Sequence, residues 1–420
     1  MARGAAPPAG PACASWGADP RIALEPIFAD ELARWSAGAI VTVALTNRHA
    51  VLIFECPDGS GGLALWLQED EPNLVAHVDL PTAQVIRTAQ SPDRSRLAVV
   101  DAQGRTVVVT TTGTASDHLQ ILSLAHSQRI LAIGLVHGLP ASAGCIVCSM
   151  DAAGCCCIST VQSSFRVSDS ELATKVTLLH ACSTGESTAA FCVHPVLPVV
   201  ALATVSGVLQ LLDVGALVSA TPEKAVLSEH VLCLTTKTLS RGVDKVLEWS
   251  PDGKMLAAAD CTTGTVTFFQ QKQHMCKADW ISLSLLGSIA ATHVTAIRWY
   301  HDVSKGTPPR LVIHLAQGHI VVLRAPRQPA GTGDGMYPEG ALPGARYRLS
   351  APALDLCVLP KNSTATAVAV LALGMDKCLR TYMLPAEVTG AAQKKGAALS
   401  GAGAVPTAPI DAQVLEVRIP

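Results

Sequence analysis

The clearest structural signal in the chain lies at residues 250–269, which read SPDGKMLAAADCTTGTVTFF. This stretch contains a turn, a short apolar run, a second turn and another apolar run. Pro251 presets the backbone at the first corner of the first turn, and Gly253 supplies its flexible position. The second turn lies at Thr263-Gly264. The stretch therefore predicts a β-hairpin that follows a tight turn.

The same pattern of apolar run, polar turn and apolar run occurs seven times along the chain. Its turns recur about every 55 residues, and such a regular period indicates a repeat architecture. One residue marks each turn: Arg48, Gly104, Gly154, Gly207, Gly264, Gly318 and Asp376. Further apolar segments stand beside these hairpins, such as 243–249 and 118–124. Each unit therefore has room for four antiparallel strands, the layout of a β-propeller blade.

Three of the units resemble WD40 repeats. Besides the stretch at 250–269, residues 91–98 (SPDRSRLA) repeat the first turn, and His194-Pro195 precede the Ser206-Gly207 turn and its strand. The resemblance to the WD40 family implies an all-β fold, namely a single seven-bladed β-propeller with four antiparallel strands per blade. It also implies a rigid platform for binding other proteins.

Two features of well-conforming WD40 repeats are missing from the sequence. No Trp-Asp dipeptide occurs, and no Gly-His pair precedes the first strand of a unit. We therefore expect the buried Asp-His-Ser/Thr-Trp hydrogen-bond network of such repeats to be missing as well. The blades are then stabilised mostly by apolar packing between neighbouring sheets, and we expect Trp249 and Trp299 to fill the core.

The predicted domain organisation is one propeller between two segments of low complexity. Residues 1–15 are predicted to be a disordered tail, 16–385 the propeller, 386–409 a flexible Ala/Gly-rich linker, and 410–420 a strand that closes the ring. A closed ring leaves no exposed sheet edges, so one terminus should complete a sheet begun by the other. The two candidate closing strands are Arg21–Phe28 and Val414–Ile419. One helix is predicted, near Ile27–Trp35.

The composition argues against several classes of function. The 420-residue chain has a formal net charge of −2 and only 15% charged residues, so it offers no general attraction for nucleic acid or anionic membranes. The longest uncharged stretch, Ser187–Leu212, is interrupted by Pro195, Pro198 and Gly207, so no transmembrane helix is predicted. The N-terminus lacks the apolar run of a secretory signal, and the expected location is intracellular and cytoplasmic.

The motifs predict no catalytic, cofactor or metal site. Cys145 and Cys148 stand close to three cysteines at 155–157, a spacing that raises the question of zinc. Residues three apart on a strand point to opposite faces, however, so we interpret these thiols as core residues. The run Gly331–Gly335 lacks the following helix that a phosphate-binding loop needs. The chain is therefore predicted to be no enzyme and to bind no small-molecule substrate.

The expected function is a non-catalytic protein-interaction scaffold within a larger intracellular complex. In WD40 repeats the turn between the second and third strands opens on the same face as the link between blades, which predicts one recognition surface. Its predicted residues are Asn47, Arg48, His49, Gln103, Arg105, Gln317, His319, Asp376 and Lys377. The expected partners are other proteins of a multi-subunit complex. Two alternatives remain open, an architectural component of a ciliary, axonemal or trafficking complex and an enzyme that uses the central channel.

Overall fold

The computed structural model of the chain describes its strands and part of the connecting segments. The described residues are 15–16, 39–45, 49–55, 61–67, 74–80, 85–90, 96–101, 105–110, 118–123, 126, 130–139, 145–151, 153–165, 172–183, 186–219, 231–233, 239, 241–273, 281–290, 293–300, 309–316, 318–324, 344–349, 352–359, 367–374, 379–385, 410–411 and 413–414.

The described strands form seven sheets, the number that the repeat units predict. Sheet one contains β2 (Ala39–Leu45), β3 (His49–Glu55), β4 (Gly61–Leu67) and β5 (Leu74–Leu80). Sheet two contains β6 (Val85–Gln90), β7 (Arg96–Asp101), β8 (Arg105–Thr110) and β9 (His118–Ser123). Sheet three contains β10 (Ile130–Val136), β11 (Cys145–Asp151), β12 (Cys155–Phe165) and β13 (Leu172–Ser183).

The remaining four sheets follow the same order along the chain. Sheet four contains β14 (Thr188–Val193), β15 (Val199–Thr204), β16 (Leu209–Asp213) and β17 (Val231–Cys233). Sheet five contains β18 (Lys245–Trp249), β19 (Met255–Asp260), β20 (Thr265–Gln273) and β21 (Ile281–Ala290). Sheet six contains β22 (Val294–Tyr300), β23 (Arg310–Leu315), β24 (His319–Arg324), β25 (Gly344–Arg348) and β29 (Ile410–Asp411). Sheet seven contains β26 (Ala353–Leu359), β27 (Ala367–Gly374), β28 (Leu379–Pro385), β1 (Ser15–Trp16) and β30 (Gln413–Val414).

The seven sheets are arranged in a closed ring. The first strands of successive sheets contact one another, from β2 through β6, β10, β14, β18 and β22 to β26, and β26 in turn contacts β2. The first strand of each sheet is therefore the innermost one. In sheets one to six the next three strands of the chain follow it outward, each antiparallel to its neighbour. This arrangement confirms the predicted all-β propeller.

The hydrophobic core lies between neighbouring sheets rather than inside one of them. One cluster joins sheets five and six through Phe268 and Trp299, and another joins sheets six and seven through Val322 and Tyr382. Every residue of β19 is buried, as is every residue of β15 and β23. These second strands have a sheet on either side, which explains why their sequences are continuous apolar runs rather than alternating ones. Trp249 and Trp299 are both buried, as predicted.

Both ends of the chain contribute strands to sheet seven. β1 is antiparallel to β28, with Ser15 opposite Arg380, and β30 also pairs with β28, with Val414 opposite Tyr382. The outer edge of β28 is thereby covered, which removes an open edge from the ring. Of the two predicted closing strands, Arg21–Phe28 lies outside the described residues, and only Val414 of the second is described.

Other predictions of chain organisation fall largely outside the described residues. These are the helix near 27–35, the tail at 1–15, of which only Ser15 is described, as part of β1, and the linker at 386–409. The structure adds a short helix that the sequence did not reveal, α1 (Val214–Ser219), directly after β16. Asp213, the residue before this helix, caps it: its side-chain oxygen accepts a hydrogen bond from the Ala216 amide at 3.0 Å.

An added methyl group at Gly253 is expected to disturb the contact between this turn of sheet five and His194 of sheet four. It has a φ of 70°, and a Cβ there would stand 2.3 Å from Cε1 of the buried His194 ring. Gly253→Ala is expected to lower the free energy of unfolding by about 2 kcal/mol, through backbone strain and displacement of the ring. Chemical denaturation measures the change.

Gly264→Ala provides the matched control. Gly264 has the same φ of 70° and follows β19, whereas Gly253 precedes that strand. This variant should cost about 1 kcal/mol, the contribution of backbone strain alone. Equal losses in the two variants would contradict a role for the His194 contact.

Candidate functional site

The turns between second and third strands share one face of the ring with the links between sheets. In sheet four the Gly242 amide of the following link donates to Val205 O of the turn at 3.0 Å, and Leu239 N donates to Gly207 O at 2.9 Å. At the other end of the same link, Asp244 O accepts from Cys261 N of the sheet-five turn at 2.9 Å. We call this surface the turn face. One link thus joins two turns by backbone hydrogen bonds.

The same arrangement continues at neighbouring sheets. Val205 N donates to Ser187 O in the link before sheet four, at 2.9 Å. Ala316 N in the sheet-six turn donates to His293 O in the link before that sheet, also at 2.9 Å. His293 has a φ of 55°, a left-handed backbone that is uncommon for a histidine. From sheet four to sheet six the turn face is therefore a hydrogen-bonded surface rather than a set of independent loops.

The turn face exposes one large apolar side chain among the described residues. Val243, in the link between sheets four and five, is 63% exposed and stands between the exposed Arg241 and Asp244. The other exposed large apolar residue, Val196, is 55% exposed and lies between β14 and β15, the first and second strands of sheet four. Because successive turns of an antiparallel sheet lie at opposite ends, Val196 is on the opposite face.

Three of the nine predicted recognition residues are described. His49, Arg105 and His319 are the first residues of β3, β8 and β24. The other six lie outside the described residues: Asn47, Arg48, Gln103, Gln317, Asp376 and Lys377. The flanking strands place Arg105 and His319 beside second-to-third-strand turns, and so on the turn face.

The predicted placement of His49 on that face is wrong. His49 is the first residue of β3, the second strand of sheet one, and the next residue, Ala50, pairs with Leu45 at the end of β2. His49 therefore lies at the end of the sheet opposite the second-to-third turn. That turn of sheet one instead falls between Glu55 and Gly61. The pattern of apolar run, turn and apolar run is the same for both hairpins, which is why the sequence did not distinguish them.

His319 stands in a positively charged part of sheet six. It pairs with Arg348 across β24 and β25, and Arg346 precedes Arg348 by two residues on the same strand. Burial lowers the pKa of His319, and the charges of Arg346 and Arg348 lower it further. The imidazole is therefore held neutral at physiological pH, and the positive charge of this region comes from the two arginines.

A buried His-Ser-Asp network stands at the turn-face end of sheet three. His126, in the link before β10, places Nε2 2.7 Å from Ser149 Oγ and Nδ1 3.3 Å from Asp151 Oδ2. Asp151 Oδ1 accepts the amides of Ala153 at 3.0 Å and Cys155 at 2.9 Å. The side chains of His126 and Asp151 are 2% and 1% exposed. The aspartate therefore holds the turn, and the histidine joins the turn to the link.

This network corrects the prediction that an Asp-His-Ser/Thr network is missing. Sheet three carries the histidine, serine and aspartate, while Cys157, opposite Ser149 on the third strand, stands where a tryptophan would complete the set. The signal in the sequence was Ser149-Met150-Asp151 followed by Gly154, with an Ala-His pair at 125–126 in place of Gly-His. The motif therefore departs from the Gly-His pattern that marks well-conforming repeats.

The innermost strands carry three charged side chains. Glu248 of β18, Arg298 of β22 and Asp355 of β26 lie on three neighbouring inner strands, and Arg298 Nη1 is 3.5 Å from Glu248 Oε2. Burial alone would lower the pKa of Arg298, but the carboxylates of Glu248 and Asp355 outweigh it and raise that pKa. Arg298 and Glu248 therefore form an ion pair between the innermost strands of sheets five and six.

Comparison with known structures identifies the fold. The chain is similar to the WD40 domain of Toxoplasma gondii coronin, at 13% identity and a TM-score of 0.52, over 85% of this chain and 86% of that domain. It is also similar to the β-propeller domain of Cps50 (Swd1) from Myceliophteria thermophila, at 8% identity and a TM-score of 0.51, over 83% and 98% of the two chains. A third similar structure is BBS1N, solved in complex with ARL6DN, at 13% identity and a TM-score of 0.49, over 83% and 92%.

The fold is therefore that of a WD40-type β-propeller. At such low sequence identity the likeness establishes the fold and not a function. No family model and no curated protein matches the sequence. Within the described part of the chain, no helix has the length and apolar character needed to cross a membrane.

Proposed function

We propose that this protein is a non-catalytic scaffold that binds a protein partner through the turn face, as part of a larger complex. The observation that carries the proposal is the link from Leu239 to Asp244, which is hydrogen-bonded to the turns of sheets four and five and exposes Val243 between two charged residues. An apolar side chain on a preorganised, polar-rimmed surface binds a partner without the cost of ordering a loop.

The non-catalytic part of the proposal is supported by the inner strands. Glu248 is paired with Arg298 at 3.5 Å, and an ion-paired carboxylate is a weak general base, which does not favour an enzyme that uses the channel. The finer assignment to a ciliary, axonemal or trafficking complex stays a prediction from the resemblance to WD40 proteins. The partners recovered in the experiment below bear on that assignment as well.

Two valines on opposite faces provide a direct test of the binding face. Val243→Asp places a charge on the turn face, and Val196→Asp places one on the opposite face, at residues 63% and 55% exposed. We expect Val243→Asp to weaken binding of the main partner about tenfold or more, while Val196→Asp leaves it unchanged. Quantitative affinity capture identifies the partner, and titration calorimetry with that partner measures the change.

Both valines are exposed, so neither variant should alter the melting temperature. Weakened binding in Val196→Asp alone would assign the contact to the opposite face. If both variants bind normally, or if the chain captures no stable partner, the proposed scaffold function of the turn face is overturned.

A further inference from the structure

Two cysteines lie beside the His-Ser-Asp network of sheet three. Cys155 and Cys157 are two residues apart on β12, so their side chains are on the same face of the sheet. A ring nitrogen of His126 and the two Sγ atoms all lie within 4.8 Å of one another. Cys157 and the ring of His126 are buried, whereas Cys155 is partly exposed. Imidazole and thiol groups thus converge next to the carboxylate of Asp151.

The contacts of His126 place one of its ring nitrogens inside this cluster. Its Nε2 lies 2.7 Å from Ser149 Oγ, and its Nδ1 lies 3.3 Å from Asp151 Oδ2 and 3.8 Å from Cys157 Sγ. Metal binding releases the protons of imidazole and thiol ligands, so a cation that binds here takes the place of the protons at Nδ1 and on the two thiols.

We propose that His126, Cys155 and Cys157 bind a zinc ion at the turn-face end of sheet three, beside the Asp151 carboxylate. In a tetrahedral zinc site the metal lies about 2.0 Å from nitrogen and about 2.3 Å from sulfur, so neighbouring ligand atoms are roughly 3.5–3.8 Å apart. The distance of 3.8 Å between His126 Nδ1 and Cys157 Sγ is at the upper end of that range. Cys155 Sγ lies within 4.8 Å of both other ligand atoms and reaches the metal by a change of side-chain torsion.

The set of ligand atoms also favours zinc over other common cations. Thiolate and imidazole are soft or borderline ligands that zinc prefers, whereas magnesium and calcium require mainly oxygen ligands. Ser149 orients the imidazole through Nε2, and the two backbone amides on Oδ1 orient the Asp151 carboxylate, as second-sphere groups do at zinc sites. The bound metal would connect His126, in the link before sheet three, to the two cysteines on the third strand of that sheet.

The other close cysteine pair does not belong to this site. Cys148 and Cys156 place their sulfurs 3.5 Å apart, but they lie among Ile146, Met150 and Ile158 in the apolar cluster between sheets three and four. The interpretation of the cysteines as core residues thus describes Cys148 and Cys156, while Cys155 and Cys157 face the polar group.

Metal titration of the full chain tests the proposal. The protein is stripped with a chelator, dialysed and supplied with zinc, and bound metal is measured by plasma mass spectrometry. We expect one zinc ion per chain and a higher melting temperature with zinc than without it. Cobalt, used as a spectroscopic probe, should give a thiolate-to-metal charge-transfer band.

Substitution of one partly exposed ligand separates a metal site from a purely structural hydrogen-bond network. Cys155→Ser should weaken zinc binding about 100-fold and abolish the zinc-dependent rise in melting temperature, without changing the melting temperature of the stripped protein. The control is Cys261→Ser, since Cys261 follows Asp260 at the corresponding turn of sheet five. It should bind zinc as the unmodified chain does.

Two results would overturn the zinc site. If the stripped chain takes up no zinc, the cluster is only a hydrogen-bond network of His126 with Ser149 and Asp151. If Cys155→Ser binds zinc as tightly as Cys261→Ser, the metal lies elsewhere. Neither result bears on partner binding at Val243, so this inference and the proposed function fail independently.

Discussion

Replacement of Trp299 by alanine is expected to lower the free energy of unfolding by about 4 kcal/mol. Trp299 is 4% exposed and packs edge-on against Phe268, with ring centroids 6.3 Å apart. Its indole Nε1 donates to Glu248 O at 2.9 Å and its amide donates to Glu248 Oε1 at 3.2 Å. The side chain therefore fills the space between sheets five and six and hydrogen-bonds their innermost strands together. Urea denaturation measures the loss.

A pair of phenylalanine variants separates the hydrogen bond from the packing. Trp249 occupies the corresponding position of β18 and is also buried, but within the described residues its Nε1 has no hydrogen-bond partner. Trp299→Phe should therefore cost about 1 kcal/mol more than Trp249→Phe. Equal losses would show that the bond to Glu248 contributes nothing to joining the two sheets.

Acidification from pH 7 to pH 4 is expected to destabilise the fold by about 3 kcal/mol through His314 alone. Burial, and after it the charge of Arg298, lowers the pKa of His314 to about 4. Its Nδ1 lies 2.7 Å from Thr295 Oγ1, and within the described residues its Nε2 has no hydrogen-bond partner. A protonated ring would place a second positive charge beside Arg298 in a buried position.

The direction of the pH effect follows from the two protonation states. Between pH about 6.5 and about 4 the unfolded chain binds a proton at His314 and the folded chain does not. Lowering the pH in this range therefore favours unfolding. The contribution is small above pH 7 and grows as the pH falls towards 4. Burial also lowers the pKa of His194, which adds to the loss in the same direction.

His314→Gln isolates this effect from the general acid sensitivity of the chain. Glutamine keeps a polar group near Thr295 but does not titrate, so the variant should lose about 3 kcal/mol less than the unmodified chain between pH 7 and pH 4. Urea denaturation at several pH values gives the two slopes. Parallel slopes would mean that His314 already titrates at its ordinary value in the folded state.

Much of the fold was readable from short stretches of sequence, and the errors have a common cause. The turns at Gly253 and Gly264 and the buried strand β19 formed as predicted, because their turn chemistry and apolar character lie within twenty residues. His49 was placed on the wrong face because a first-to-second and a second-to-third hairpin have the same local pattern. Only the pairing of β2 with β3 distinguishes them.

The His126 network, too, could be predicted only in part from the local sequence. Ser149 and Asp151 are recognisable on their strand, but His126 reaches them from 25 residues before Asp151, in a link whose dipeptide departs from the expected one. The thiols of Cys155 and Cys157 were visible in the sequence, and the histidine that meets them was not assigned to them. A candidate metal site therefore emerged only when the link was seen folded over the turn.

Local sequence decides that this chain forms short buried strands joined by tight turns, because turn residues and apolar runs act over a few positions. The closure of seven sheets into a ring, the hydrogen bonding of links to turns on one face, and the meeting of His126 with Asp151 and Cys157 are decided by tertiary structure. Each of these depends on contacts between segments far apart in the chain, and no local pattern of side chains encodes which of the compatible partners will meet.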